Sequence, residues 1–338
     1  MKFSFLQFVR EQRSQTPPVE ILDLTGKTIV VTGANQGLGF EATKHLARMN
    51  PGRLILACRN KTLGEEAASN IQQETGCKTV QVWILDLASF ASVIAFYERF
   101  EKEGGRLDIL LENAALVPSG KEPYTDDGWA PALQVNNLST NLLALLLLPR
   151  MLATAKEHST TPRLVLVASG VHYWAKLTKD VVDSETPWRT YNEPKQYKAA
   201  NGTARYFDTK LLNVLFVRAL AARIPSMPDK KPYMTITAID PGFCLTAVRK
   251  NQTGIDAFVS WVFEKWLART QEEGSRQLVW AALAGQGPNN TTKSIQDEEL
   301  HGQYCSSQQV CESSDWVIGA EGSRAQDVMW ASHLSLLS

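Results

Sequence analysis

Several marks of particular protein classes are missing from this sequence. Its 338 residues carry no excess charge of either sign, with Lys+Arg and Asp+Glu both at 35. The long-range field that draws nucleic acid or an anionic membrane surface is therefore absent. Cysteine is scarce and shows no useful spacing. Cys58, Cys77, Cys244, Cys305 and Cys311 are odd in number and include no Cys-x-x-Cys, which argues against a disulfide scaffold or zinc site and for a reducing compartment. Long apolar runs are also lacking. The longest, Leu142 to Leu148, falls well short of the roughly 20 residues of a bilayer-spanning helix and reads as the buried side of a core helix. The N-terminal stretch is apolar but soon broken by charge, and it has no small-residue cleavage site, so no secretory leader is expected. It reads as a short amphipathic helix packing on the body, with a peripheral membrane anchor as the alternative. Repeats and low-complexity tracts are absent too. What is left is a cytoplasmic, enzyme-sized globule with no metal, no transmembrane segment and no nucleic-acid partner.

What the chain does contain is a rhythm. After an arm at residues 1–20 that ends in Thr16-Pro17-Pro18, apolar runs alternate with helical patterns. The runs predict strands over Thr28–Thr32, Leu54–Ala57, Val80–Leu85, Leu107–Leu111, Leu164–Ala168 and Thr235–Ile239. Helices are predicted over Phe40–Met49, Ser89–Glu103, Asn141–Ala155 and Thr209–Arg223. Continuous Val/Ile/Leu runs suit strands buried on both faces, and βα alternation predicts an α/β fold with a doubly wound parallel sheet. One catalytic domain is expected over residues 21–290, with residues 291–338 as an extension packed on it. Two aromatic-rich stretches, 172–204 and 250–270, interrupt the rhythm and read as candidate linings of an apolar substrate pocket.

The first predicted strand runs into Thr32-Gly33-Ala34-Asn35-Gln36-Gly37-Leu38-Gly39 and then a helix. Glycines there let the backbone approach a pyrophosphate, which the free N–H groups of a helix N-terminus bind. Between strand and helix in the first βα unit, this pattern is a strong dinucleotide signal. The second strand ends in Cys58-Arg59-Asn60 without the carboxylate that holds an NAD ribose; Arg59 is placed to meet a 2′-phosphate, so NADP(H) is the expected cofactor. Asp86 and Leu87, ending the third strand, are candidates for the adenine side, although Asp86 would equally suit a helix cap.

Tyr206 and Lys210 stand four apart at the head of an apolar helical run, one turn from each other on the same face. An ammonium so placed stabilises phenolate and draws a tyrosine pKa down from roughly 10 toward neutrality, making a proton donor or acceptor. A rival pair exists in Tyr191-Asn-Glu-Pro-Lys195.

Taken in order, these motifs resemble the short-chain dehydrogenase/reductase family, over roughly Leu24 to the C-terminus. Thr32–Gly39 matches the family's Thr-Gly-x-x-x-Gly-x-Gly turn, and Asn113-Ala114-Ala115 resembles its Asn-Ala-Gly, with alanine in place of glycine. Val135-Asn136-Asn137-Leu138 resembles the segment of the catalytic asparagine, Ser169 matches the catalytic serine, and Pro241-Gly242-Phe243-Cys244-Leu245-Thr246 matches the turn that seats the nicotinamide. The similarity is nearest to the retinol-dehydrogenase-like branch and to fungal members of secondary-metabolite pathways. It implies a Rossmann-type sheet with helices on both faces. It also implies a catalytic set of Asn136, Ser169, Tyr206 and Lys210, with Gly33, Asn35, Gln36, Gly37, Leu38, Gly39, Arg59, Asp86, Leu87, Asn113, Tyr206, Lys210, Pro241, Gly242 and Thr246 at the cofactor.

Spacing from Ser169 favours Tyr191, but Pro194 breaks its helix, whereas Tyr206 continues into an uninterrupted one. Tyr206 is therefore assigned. The expected activity is ketoreduction of a bulky hydrophobic small molecule with NADPH, Tyr206 protonating the oxygen and Asn136 anchoring a water that links Lys210 to solvent. Alcohol oxidation with NADP+ and a non-redox cofactor-binding protein are the alternatives, and a homodimer is compatible with either.

Overall fold

The computed structural model describes residues 4–103, 105–118, 122–193, 202–224, 226, 232–245, 267–286 and 295–337. Eight strands form one sheet in the order β3-β2-β1-β4-β5-β6-β7-β8. They are β1 (Thr28–Thr32), β2 (Arg53–Cys58), β3 (Val80–Ile84), β4 (Ile109–Glu112), β5 (Arg163–Val167), β6 (Thr235–Asp240), β7 (Gln303–Ser306) and β8 (Gln309–Cys311). All neighbours are parallel except β7 and β8, which are antiparallel. The six predicted strands are all present, with ends displaced by a residue or two.

Every residue of β1, β4, β5 and β6 is buried, which is why these strands read as unbroken apolar runs rather than alternating ones. Helices cover both faces: α2 (Gly37–Ala47), α3 (Lys61–Thr75) and α7 (Gln271–Leu283) on one, and α4 (Phe90–Glu103), α5 (Ser139–His158) and α6 (Gly202–Ala221) on the other. Each leucine buried between sheet and helix contributes about 1.5–3 kcal/mol, so the two cores fix the strand ends firmly. A short N-terminal helix, α1 (Phe5–Arg13), and a C-terminal one, α8 (Ala320–Leu337), complete the described elements used below.

The sheet departs from expectation at its C-terminal end. The segment after residue 290, expected as an extension packed against the domain, supplies two strands of the sheet itself, with β7 pairing Thr237↔Gln303 through Asp240↔Ser306. Of the first aromatic stretch, Trp188 and Tyr191 are core residues that do not line the main cavity, and Trp174 alone of its large rings reaches that cavity among the described residues. Residues 250–266 of the second stretch lie outside the described residues.

One described segment, Pro131–His158, is long and apolar enough to cross a membrane, contrary to the expectation from run length. Most of its apolar window, 61%, is buried inside the fold, where Leu143, Leu147 and Met151 face the sheet-side core. It is the core helix predicted around Leu142 to Leu148, entered through a π turn at Gln134–Leu138.

Candidate active site

In a sheet of this order, crossovers diverge between β1 and β4, opening a crevice at the strands' carboxyl ends. A cavity of about 510 Å³ sits there, walled by residues that follow β1, β4, β5 and β6. Its floor is the glycine turn. Gly33 (φ +66) and Gly37 (φ +65) adopt the left-handed conformation that side chains resist. Gly39 is tighter still: a Cβ there would lie 2.5 Å from both Asn113 Nδ2 and the Gly33 carbonyl oxygen. Asn113 braces the turn, its Nδ2 donating to Thr32 O at 3.0 Å and its N–H to Thr32 Oγ1 at 3.0 Å.

The helices differ informatively at their starts. Side chains of Asn60 and Thr270 accept hydrogen bonds from the first turns of α3 and α7, whereas Gln36, at the start of α2, makes no such bond. The N-terminal N–H groups of α2 thus remain open to the cavity, with the positive end of the helix dipole behind them. An uncapped helix start beneath a close-packed glycine cradle fits a dinucleotide pyrophosphate.

Ser169, Tyr206 and Lys210 line the same cavity. Ser169 begins a tight turn, and its Oγ accepts the Val171 N–H at 3.4 Å, leaving its own hydrogen to donate. Lys210 is buried on α6, one turn from Tyr206, with Nζ 5.6 Å from that ring's centroid. Nζ donates to Val167 O at 2.7 Å, anchoring α6 to the end of β5. Burial lowers the Lys210 ammonium from 10.5 to about 8, and the charge of Asp240 offsets part of that.

Asn136 lies behind the cavity wall rather than in it. Its Oδ1 accepts from Leu116 N at 2.7 Å, while Nδ2 donates to Leu116 O at 2.8 Å and Thr209 Oγ1 at 3.0 Å. Both amide hydrogens are used, so the side chain ties the β4 loop to the residue preceding Lys210.

Tyr191, the rival tyrosine, is buried away from the cavity. Its hydroxyl donates to Asp208 Oδ2 at 3.0 Å, and the Arg205 guanidinium sits 4.2 Å over its ring. Burial raises its phenol well above the usual range, and Lys195 lies outside the described residues. Arg59 stands exposed at the end of β2 and Asp86 half-buried after β3, both outside the main cavity. Asp86 Oδ1 accepts Ala88 N–H at 2.9 Å, closing a turn ahead of α4 rather than capping that helix. Leu87 turns its side chain into the core, which leaves only its main chain for a ligand. Pro241 and Gly242 line the cavity; Thr246 falls outside the described residues.

Several lining groups escaped sequence reasoning. Asp240, before the Pro-Gly turn, is a buried carboxylate that accepts from Gly242 N at 3.0 Å, Tyr304 OH at 3.2 Å and Ser306 Oγ at 3.4 Å. Burial raises its pKa against those donors. Cys244 also lines the cavity, but burial pushes its thiol up to about 12, so it is no thiolate nucleophile at neutral pH. Phe8, Glu11 and Gln12 of α1 reach the same cavity; their spacing of three and four was the available signal.

Residues 27–172 match the family model described as short chain dehydrogenase. The short-chain dehydrogenase anuD of Penicillium roqueforti is 35% identical over 343 residues, covering 99% of this chain and 83% of that protein. The short chain dehydrogenase/reductase dmxR8 of a Cryptosporiopsis species is 33% identical over 325 residues, 96% of this chain and 94% of that one. L-Sorbose reductase from Gluconobacter frateurii, solved with NADPH and L-sorbose, shares the fold at a TM-score of 0.58 and 18% identity, over 86% of this chain and 97% of its own. Relatives that span nearly the whole chain agree with the ordered motifs: this protein belongs to the short-chain dehydrogenase/reductase family, oxidoreductases acting on CH–OH groups.

Proposed function

We propose that the protein is an NADP(H)-dependent ketoreductase acting on a bulky apolar small molecule in a fungal secondary-metabolite route. The observation that carries the reading is the convergence of Ser169, Tyr206 and Lys210 with the open start of α2 on one cavity. The bound nicotinamide cofactor would supply the hydride. Its pyrophosphate is assigned to the α2 N-terminus and the turn at Gly33, Asn35, Gln36, Gly37, Leu38 and Gly39, with Asn113 bracing that turn. Arg59 supports NADP(H): it is exposed where the β2 end offers no carboxylate, and its planar fork suits a 2′-phosphate. The reductase from Gluconobacter frateurii, solved with NADPH, is consistent with this choice. Asp86, the main chain of Leu87, and the Pro241–Gly242 turn are assigned to the remaining cofactor contacts, with Thr246 beyond them.

Ser169 donates its hydroxyl hydrogen to the substrate oxygen and stabilises the negative charge that grows there. Tyr206 gives that oxygen its phenolic proton. Lys210, held against Val167 O, keeps a positive charge one turn away, which favours the phenolate left behind. Asn136 holds Thr209, and with it Lys210, in register with the β4 loop. Trp174, Phe207 and Phe243 supply apolar walls for a large ketone. The same groups run the reaction backward when NADP+ and alcohol dominate. A non-redox role is disfavoured, because a site that merely binds a dinucleotide has no use for the serine, tyrosine and lysine together.

The test is nicotinamide absorbance across a ketone panel, comparing wild type with Tyr206→Phe. The variant should bind NADPH but lose at least about a hundredfold in turnover, the usual worth of a general acid. Near-normal turnover in the variant would sink the assignment.

A further inference from the structure

We propose that α1 is part of the substrate site, with Phe8 and Glu11 forming a cavity wall that selects aromatic ketones bearing a ring hydroxyl. The proposal rests on the cavity being the carbonyl site, as above.

The helix is seated by side chains, not by general stickiness. A Ser4/Gln7 capping box starts it. Gln12, buried, donates through Nε2 to Phe243 O at 2.9 Å and Leu267 O at 3.2 Å. Arg269, also buried, donates through Nη2 to Glu11 O at 2.8 Å. The seat reaches the Pro-Gly turn itself: a Cβ on Gly242 would meet Gln12 Oε1 at 2.7 Å and Arg269 Nη1 at 2.8 Å. Downstream, Arg276 Nη1 holds Thr16 O at 2.9 Å. The arm is therefore held to the body from Glu11 to Thr16, with Phe8, Glu11 and Gln12 lining the cavity, and its outward face carries Leu6, 80% exposed.

The inward face is chemically specific. Phe8 meets Phe243 edge-on, centroids 6.3 Å apart, and presents an aromatic surface to the cavity. Glu11, half-buried one turn later, has its main-chain oxygen taken by Arg269. Its carboxylate forms no hydrogen bond or ion pair with any described residue. A partly dehydrated carboxylate without a donor costs free energy, which a substrate hydroxyl would recover. Asp240, a fully buried carboxylate on the same cavity, adds its charge to that of Glu11 and outweighs the nearby Arg269 there, so this wall disfavours a further anion. Attraction for a hydroxyl and rejection of a carboxylate together define the selectivity. The preferred ligand is thus a neutral, hydroxylated aromatic ketone.

The experiment is calorimetric titration of NADPH-loaded Tyr206→Phe enzyme, which does not turn over, with tetralone, ring-hydroxylated tetralone and ring-carboxylated tetralone. Hydroxytetralone should bind about five- to tenfold more tightly than tetralone, the worth of one hydrogen bond, and the carboxylated ketone most weakly. Adding Glu11→Leu should erase the hydroxyl preference. Glu11→Gln should keep that preference while relaxing rejection of the carboxylate, an outcome that mere detachment of α1 does not produce. Phe8→Ala should weaken all three ketones, and Leu6→Ser, on the outward face, none. A hydroxyl preference that survives Glu11→Leu, unweakened binding in Phe8→Ala, or no binding of any of the three ketones overturns the proposal. Turnover by the enzyme with Tyr206 intact decides the redox reading separately, so hydroxytetralone bound selectively but never reduced refutes that reading alone.

Discussion

Replacing Lys210 with methionine should stabilise the cofactor-free fold at neutral pH while destroying catalysis, and the two effects share one cause. Lys210 is buried, and its ammonium is lowered from 10.5 to about 8. At about 1.4 kcal/mol per tenfold, holding that proton costs the folded state roughly 3 kcal/mol. The sign follows from proton counting. Between about pH 8 and 10.5 the unfolded chain binds more protons than the folded one, so wild-type stability rises with pH across that window. The lysine's contribution is whole above the unfolded value and lost as pH falls through about 8. Methionine has nothing to titrate, so its curve lacks this rise. The assay is urea denaturation of both proteins without nucleotide, stepped from neutral to alkaline pH. The lost hydrogen bond to Val167 O offsets the methionine curve equally at every pH, and other alkaline groups are common to both proteins and cancel. The variant-minus-wild-type difference should therefore grow by about 3 kcal/mol toward neutrality, while turnover falls about a hundredfold or more. A difference that stays flat with pH refutes the buried, strained ammonium.

Other consequences are as direct. Arg59→Asp should raise the KM for NADPH by about tenfold or more and lower it for NADH, since a guanidinium–phosphate contact becomes a repulsion; unchanged cofactor preference in parallel kinetics removes the 2′-phosphate role from Arg59. Gly39→Ala should weaken NADPH binding and cost about 1–3 kcal/mol by denaturation, because its methyl meets the Gly33 carbonyl oxygen at 2.5 Å; a wild-type melt with wild-type affinity contradicts the close packing. Glu112 is fully buried, both carboxyl oxygens lack a partner among the described residues, and burial holds its pKa well above normal. Its contribution to stability is whole below the ordinary carboxylate range and shrinks as pH rises. Glu112→Gln should accordingly gain on wild type from about pH 5 to pH 8 in thermal melts, and a pH-independent difference argues against a neutral acid there.

How far the sequence could be read varied with sequence distance. β1, β2, β4, β5 and β6 were visible because strands buried on both faces are continuously apolar, the more exposed β3 because only Gln81 breaks its apolar run, and the Tyr206–Lys210 pair because its geometry spans one helical turn. The β7–β8 hairpin was not. Its strands are short and polar (Gln303-Tyr-Cys-Ser), and its turn puts Ser307 and Gln308 at φ 51 and 57, a conformation usually announced by Asn or Gly. The π turn at Gln134–Leu138 was hidden for a different reason: one extra residue per turn leaves apolar periodicity almost unchanged, yet it sets which way Asn136 points. α1 had the right spacing at Phe8, Glu11 and Gln12, but its partners lie far away in the chain, Gln12 and Phe243 being 231 positions apart. No local pattern carries that information.

Asp240 explains why those distant pieces belong to the site. At the carboxyl end of β6 it sits between the β6–β7 pairing and Lys210, on which its charge acts. A buried carboxylate keeps its charge only where donors surround it. Three such donors come from two places: Gly242 N from its own turn, and the hydroxyls of Tyr304 and Ser306 from β7. Pairing of Asp240 with Ser306 in the sheet register fixes those hydroxyls, so the C-terminal hairpin orients a charge that Lys210 feels. α1 acts from the other side, where Arg269 clamps its backbone and moderates both Glu11 and Asp240. Strand β7 and helix α1 therefore both act on one carboxylate whose charge reaches Lys210. The Tyr206–Lys210 pair is proposed to supply the chemistry, and the electrostatic setting around Lys210 is built largely by residues outside the motifs: Asp240, Tyr304, Ser306 and Arg269.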